Sequence, residues 1–274
     1  MGQQLMDQLR ETVSYLQSRY AIAPVAGIVL GSGLGNFSNE ITIEAEVPYA
    51  DIPHFPVSTV EGHSGKLIFG KLSGKTVVAM AGRFHFYEGY TAQQVTYPVR
   101  VMKMLGVQTL LLSNAAGAVN PAYNVGDIMI IKDHVSFFTP NPLMGKNESA
   151  LGPRFPDMSE PYKKELIAKA KQVAADKGYT VHEGVYVAVT GPTYETRAEY
   201  KFIHILGGDV VGMSTVQENI VANHMGMDVF AVSVITDLGI RDEDNTITHE
   251  EVLQAAKGAE PRLAVLLKEL VASL

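Results

Sequence analysis

Short apolar runs alternate with helix-spaced segments along most of this chain, and that alternation restricts the fold more than any other feature. Residues 25–30, 66–69, 76–80, 109–112, 128–131, 185–189 and 229–235 are runs dominated by Val, Ile, Leu, Ala and Phe, with the composition and length of buried strands. Helical spacing occurs over residues 3–19, at Val95, Val99, Met102 and Leu105, and over 160–177, 196–206, 215–226 and 248–272. Strands that are apolar throughout need cover on both faces, and strands separated by helices tend to run parallel. The pattern predicts an α/β fold: one domain spanning residues 1–274, with a central mixed β-sheet flanked by helices. No internal repeat, low-complexity tract or break in composition marks a second domain.

Local signals refine this. Residues 70–75 (Gly-Lys-Leu-Ser-Gly-Lys) join two strand candidates as a hairpin connection. Pro98 falls inside a helical pattern, which predicts a kink or a helix start. Thr196 and Glu199, Thr215 and Glu218, and Thr248 and Glu251 each have the Thr-x-x-Glu spacing of a capping box, and ordinary capping is expected at all three. Residues 139–158 hold four prolines and two glycines with little periodicity, which reads as a long surface loop. The polar stretch 241–245 reads as a solvated turn or a lid.

The 274 residues carry a net charge of −7, which opposes nonspecific nucleic-acid binding. With no cysteine there are no disulfides, thiolate metal sites or cysteine nucleophiles. The first residues lack the basic flank and apolar core of a signal peptide, and no apolar stretch approaches the ~20 residues that span a bilayer. A cytoplasmic protein without a membrane partner is the expectation.

Gly31-Ser32-Gly33-Leu34-Gly35 follows a strand, but the dinucleotide fingerprint needs a third glycine where this chain has Asn36. What survives is a loop whose amides and serine hydroxyl suit an anion, or an ordinary strand-to-helix turn. Gly82 through Tyr90 is the densest polar and aromatic segment, and strand alternation would set Arg83, His85 and Tyr87 on one face. Arginine, histidine and phenol together suit a phosphate beside a sugar. Small residues at Asn114-Ala115-Ala116-Gly117 permit backbone contact with a flat ligand. Gly212-Met213-Ser214 precedes a helix, where free amides favour an anion. Glu195 precedes another helix and is either a functional carboxylate or a partner of the helix dipole. Serine-hydrolase, P-loop and zinc-protease patterns are missing, and no metal-ligand cluster is predicted.

Together these segments resemble the trimeric purine nucleoside phosphorylases. The resemblance runs from Gly31 to His249 and also takes in Glu61-Gly62-His63-Ser64-Gly65, Arg154-Phe155-Pro156 and His249-Glu250-Glu251-Val252. It implies phosphate contacts at Ser32, His63, Arg83, His85, Asn114, Ala115 and Ser214. It implies nucleoside contacts at Tyr87, Ala115, Ala116, Tyr194, Glu195, Gly212, Met213, Asp237 and His249, with His85, Glu195 and Asp237 as the catalytic set. Phe155 matches an aromatic that a neighbouring subunit contributes, so a homotrimer is implied. The implied reaction is reversible phosphorolysis of purine nucleosides, with inorganic phosphate as co-substrate and no cofactor.

The chain departs from the family at Asp237, where many members selective for 6-oxopurines carry asparagine. An amide donates to purine N7; a carboxylate donates only when protonated. Burial near Glu195 would favour the protonated form. The expectation is inosine and guanosine as main substrates, with adenosine possible. Competing readings are 5′-methylthioadenosine phosphorolysis, which His249 near the 5′ position disfavours, and a non-catalytic nucleoside-binding protein.

Overall fold

The computed structural model describes residues 2–57, 59, 65–240 and 247–274. Its strands are β1 (Ala26–Leu30), β2 (Thr42–Pro48), β3 (Lys66–Leu72), β4 (Lys75–Ala81), β5 (Thr109–Ala118), β6 (Ile128–Val135), β7 (His182–Ala188), β8 (Val210–Gly212) and β9 (Asp228–Leu238). The helices are α1 (Gly2–Arg19), α2 (Ala92–Met104), α3 (Lys164–Asp176), α4 (Arg197–Ile205), α5 (Val216–His224) and α6 (His249–Ala272). His63 and the polar stretch 241–245 lie outside the described residues.

The strands form one mixed sheet in the order β2-β3-β4-β1-β5-β8-β7-β6-β9, and β9 returns to pair with β5. The sheet is therefore an open limb, β2 to β5, joined to a closed ring of β5, β8, β7, β6 and β9. Strands β4, β1, β5 and β9 run parallel, so their carboxyl ends meet at one edge. All five residues of β1 are buried, as are Val229 through Asp237 of β9, the pattern of strands covered on both faces. Helices α1, α2 and α5 pack together, as do α3 and α6, and both α5 and α6 lie against β9.

The predicted hairpin is present but tighter than expected. Residues 70–72 pair with 75–77, so the connection shrinks to Ser73 and Gly74, both with positive φ, at 49° and 80°. Such a turn matches the twist of paired strands. Helix α2 starts at Ala92, capped by Thr91, and continues through Pro98. Residues 136–163 form neither helix nor strand, in line with the predicted long loop. The loop is held by polar side chains of α5: Gln217 donates to the Pro140 carbonyl at 2.9 Å, and Asn219 and Asn223 donate to that of Pro161 at 2.6 and 3.0 Å.

Candidate active site

Strand β5 changes neighbours along its length. It pairs with β1 only as far as Leu112 and with β8 only from Gly117. Residues 113–116 thus lie where the sheet opens, at the carboxyl ends of parallel strands, a position where α/β sheets bind ligands. A cavity occupies this opening. Ser32 reaches it from the end of β1, Arg83, His85 and Tyr87 from the segment after β4, and Asn114, Ala115 and Ala116 from β5. Gly212, Met213 and Ser214 enter from β8, Asp237 from β9, Tyr194 and Glu195 from the approach to α4, and His249 from the first turn of α6. The wall also includes Gly117, Val211, Thr236 and Val252, to which no role was assigned from sequence.

Two glycines of the loop have a packing role. A Cβ on Gly31 would lie 2.7 Å from the Ser113 carbonyl oxygen and 2.8 Å from the Asn114 Cα. Gly33 has φ 75°, and a Cβ there would lie 2.6 Å from that of Ala256 in α6. These glycines allow close packing against β5 and α6, and Ser32 between them lines the cavity.

Arg83, His85 and Tyr87 do converge, but not through strand alternation. Strand β4 ends at Ala81, Gly82 turns the chain with φ 101°, and Phe86–Glu88 forms a 3-10 helix. Phe84 leaves the site and packs against Tyr49, Phe55 and Tyr90. Tyr87 stacks on the His85 ring at 4.6 Å and 15°. Glu88 accepts from the His85 backbone N–H at 2.7 Å, from its Nδ1 at 3.1 Å, and from the Thr59 amide and hydroxyl at 2.8 and 2.6 Å.

These bonds have consequences for charge. Burial lowers the His85 pKa, outweighing the carboxylate beside it, so the ring is neutral near pH 7. Burial alone would raise the Glu88 pKa, but hydrogen bonds from His85 and Thr59 overcome it and bring it down to about 2. An ionised Glu88 only accepts, so the ring proton sits on Nδ1 and Nε2 is left as an acceptor. Because the Glu88 pKa is depressed on folding, its contribution to stability is complete above the ordinary carboxylate value of 4.5 and fades as pH falls toward about 2. Glu88→Gln should therefore flatten the loss of stability across that window, measured by urea unfolding at stepped pH. An unchanged acid slope would count against the bonded carboxylate.

The third capping box does more than cap. In α4 and α6 the Thr196 and Thr248 side chains accept from the Glu199 and Glu251 amides at 3.3 Å each, as capping boxes should. Thr215 also forms its capping box with Glu218, but at φ 71°. Its hydroxyl accepts from Asn114 Nδ2 at 2.8 Å and lies 3.1 Å from the Ser214 hydroxyl. Glu218 still accepts from the Thr215 amide, at 2.9 Å, but its other partner is Arg83. The guanidinium donates from Nε to Oε1 at 3.1 Å and from NH2 to Oε2 at 3.0 Å, while NH1 donates to the Ser113 carbonyl at 2.6 Å. Side chains of this pair are 1 % and 4 % exposed. Sequence reasoning missed Glu218 as anything beyond a cap. The available signal was a helix with polar residues on several faces, because a carboxylate with no solvent face needs a cation.

The other side-chain cluster is acidic and aromatic. Asp237 is buried, its Oδ1 accepting from the Thr236 hydroxyl at 3.1 Å. A Cβ on Gly117 would lie 2.6 Å from the Asp237 Oδ2, so glycine there makes room for the carboxylate. Burial raises the Glu195 pKa, and the Asp237 charge adds to the rise. Tyr194 is shifted upward by burial and then by both carboxylates.

Phe155 lies apart, 87 % exposed, beside a separate cavity formed with Ser136, Phe137, Met144 and Arg154. Among the described residues no group of three or more His, Cys, Asp or Glu side chains is arranged to hold a metal, and no helix is long and apolar enough to cross a membrane.

The profile of the phosphorylase superfamily matches residues 25–272. The chain is 50 % identical to purine nucleoside phosphorylase 1 of Geobacillus stearothermophilus over 97 % of both chains. It is 45 % identical to the Bos taurus purine nucleoside phosphorylase, over 98 % of this chain and 95 % of that one. The structure of Schistosoma mansoni purine nucleoside phosphorylase with adenosine superposes with a TM-score of 0.93 at 42 % identity, covering 98 % and 97 % of the two chains. The same enzyme with inosine gives 0.92 at 41 %, covering 98 % and 96 %. Sequence and fold agree over nearly the whole length: the chain belongs to the phosphorylase superfamily and, within it, to the purine nucleoside phosphorylases, which are pentosyltransferases.

Proposed function

We propose that this chain catalyses reversible phosphorolysis of purine ribo- and deoxyribonucleosides in purine salvage, with inosine and guanosine as main substrates and adenosine as a further one. The observation that carries this reading is one cavity lined both by an anion-type set, Ser32, Arg83, His85 and Ser214, and by the carboxylates Glu195 and Asp237. A binding protein would need the second set but not the first. Methylthioadenosine is disfavoured because His249, a polar residue, lines the cavity, where a methylthio group calls for an apolar wall.

In this mechanism Ser32, Arg83, Ser214 and the backbone at Asn114 and Ala115 place the phosphate, with His63 adding to them. The Nε2 of neutral His85 accepts a hydrogen bond from the one O–H of monohydrogen phosphate, directing a deprotonated oxygen at C1′. Tyr87, Met213 and His249 hold the ribose, and Ala116, Gly212, Tyr194 and Glu195 hold the base. The C1′–N9 bond breaks and its electron pair passes into the purine, while the phosphate stabilises the cationic sugar. A protonated Asp237 delivers its proton to N7, and a phosphate oxygen closes on C1′ to give ribose 1-phosphate. Phosphate is the co-substrate, and no step calls for a cofactor. Phe155 would act in a neighbouring subunit of a homotrimer, which its exposure supports. The cysteine-free chain is assigned to the cytoplasm.

A panel of inosine, guanosine and adenosine, each with and without inorganic phosphate, tests the proposal by absorbance change. Turnover of inosine and guanosine only with phosphate is the expected result. Activity on adenosine with inosine inert would sink the 6-oxopurine assignment.

A further inference from the structure

We infer that Glu218 is a positioning residue for the phosphate subsite, one buried carboxylate that aligns both the Arg83 guanidinium and the turn carrying Ser214. The inference rests on the phosphorolysis reading, since it assigns Arg83 and Ser214 to phosphate. Its basis is the bonding already described. Oε1 takes the Nε–H of Arg83, and Oε2 takes both an NH2 proton of Arg83 and the amide of Thr215. Arg83 arrives from the end of β4 and Thr215 from the end of β8, so the carboxylate joins the two halves directly. Thr215 sits at φ 71° and ψ −48°, a γ-turn closed by the Val216 amide on the Ser214 carbonyl at 2.7 Å, a strained conformation that a β-branched residue keeps only when its surroundings enforce it. The amide bond to Glu218 and the Asn114 bond to its hydroxyl are those enforcing contacts. The Ser214 hydroxyl lies 3.1 Å from that of Thr215, so relaxing the turn would move it.

The same carboxylate also balances the arginine charge. The subsite then acts less as a net positive centre than as a set of oriented donors, which resists collapse before phosphate arrives. Glutamine at 218 cannot do this. Its amide has one acceptor oxygen, and its NH2 would face donors of Arg83 or Thr215.

The test is steady-state kinetics on the full chain, varying phosphate and inosine separately. In Glu218→Gln the KM for phosphate should rise about tenfold or more, as loss of a charge-assisted bond implies, while the KM for inosine stays within about twofold. Glu218→Asp, which keeps the charge on a shorter stem, should fall between the two. In an Arg83→Met background, Glu218→Gln should add less than about twofold to the phosphate KM, because both changes then act on one unit. Equal shifts in both KM values, or full additivity with Arg83→Met, would overturn the inference. If the glutamine variant does not fold, the aspartate variant decides: a selective rise in phosphate KM supports positioning, and an unchanged one refutes it. A wild-type protein that turns over inosine without phosphate would instead refute the phosphorolysis reading itself.

Discussion

Arg83→Met is expected to lower phosphorolysis by about 10²–10³-fold and to destabilise the fold by about 3–5 kcal/mol. Both effects have one origin. The guanidinium is 1 % exposed and shares two bonds with Glu218, itself 4 % exposed. Removing it strands a carboxylate with no access to water and leaves the Ser113 carbonyl without its 2.6 Å donor. The phosphate would lose its fixed cationic neighbour at the same time. Urea unfolding and initial rates at saturating inosine separate the two losses. A variant of normal stability would show that Glu218 finds another cation, and a variant with normal phosphate KM would remove Arg83 from the phosphate subsite.

Asp237→Asn is expected to lower adenosine phosphorolysis by about 10²-fold, the scale of a lost general acid, and inosine phosphorolysis by less than about tenfold. The departing hypoxanthine can spread its charge onto O6, so a hydrogen bond from an amide serves N7 nearly as well as a proton. Departing adenine has no such oxygen and depends on proton transfer. Asp237 is buried in the same cavity as Glu195, whose pKa is raised by burial and then by the Asp237 charge. Two carboxylates lining one cavity oppose each other's ionisation, which supports a proton being carried at this site. The check is kcat/KM for both nucleosides in the variant and the wild type. Equal losses would undo the acid role of Asp237.

The sites of these two predictions differed in how legible they were. Asp237 stood out only through the family resemblance, as a departure from the asparagine that many members carry. Arg83 and His85 were found for their residue types, but the assumed route, alternation along β4, was wrong: the strand stops at Ala81. A turn at Gly82 and a 3-10 helix bring them together instead, and neither has a periodicity to detect. Strand β2 has only Val47 buried among its seven residues, so it lacks the apolar signature that marks the other long strands. Strand β8, three residues long, is too short for any pattern.

The sequence by itself determined the helices and the longer apolar strands, the mixed sheet covered on both sides, and most residues around the cavity. These follow from local periodicity, from small residues at strand ends and from the kinds of side chain that suit phosphate, and, for Tyr194, Asp237 and His249, from the resemblance to the purine nucleoside phosphorylases. Only the tertiary structure decided that β9 closes back on β5, and that the sheet opens at residues 113–116 to make room for a ligand. It alone turned Glu218 from the second half of a capping box into the partner of Arg83. The physical reason is separation along the chain: the two side chains are 135 residues apart. A buried charge must find an opposite one, but nothing in the order of residues says which.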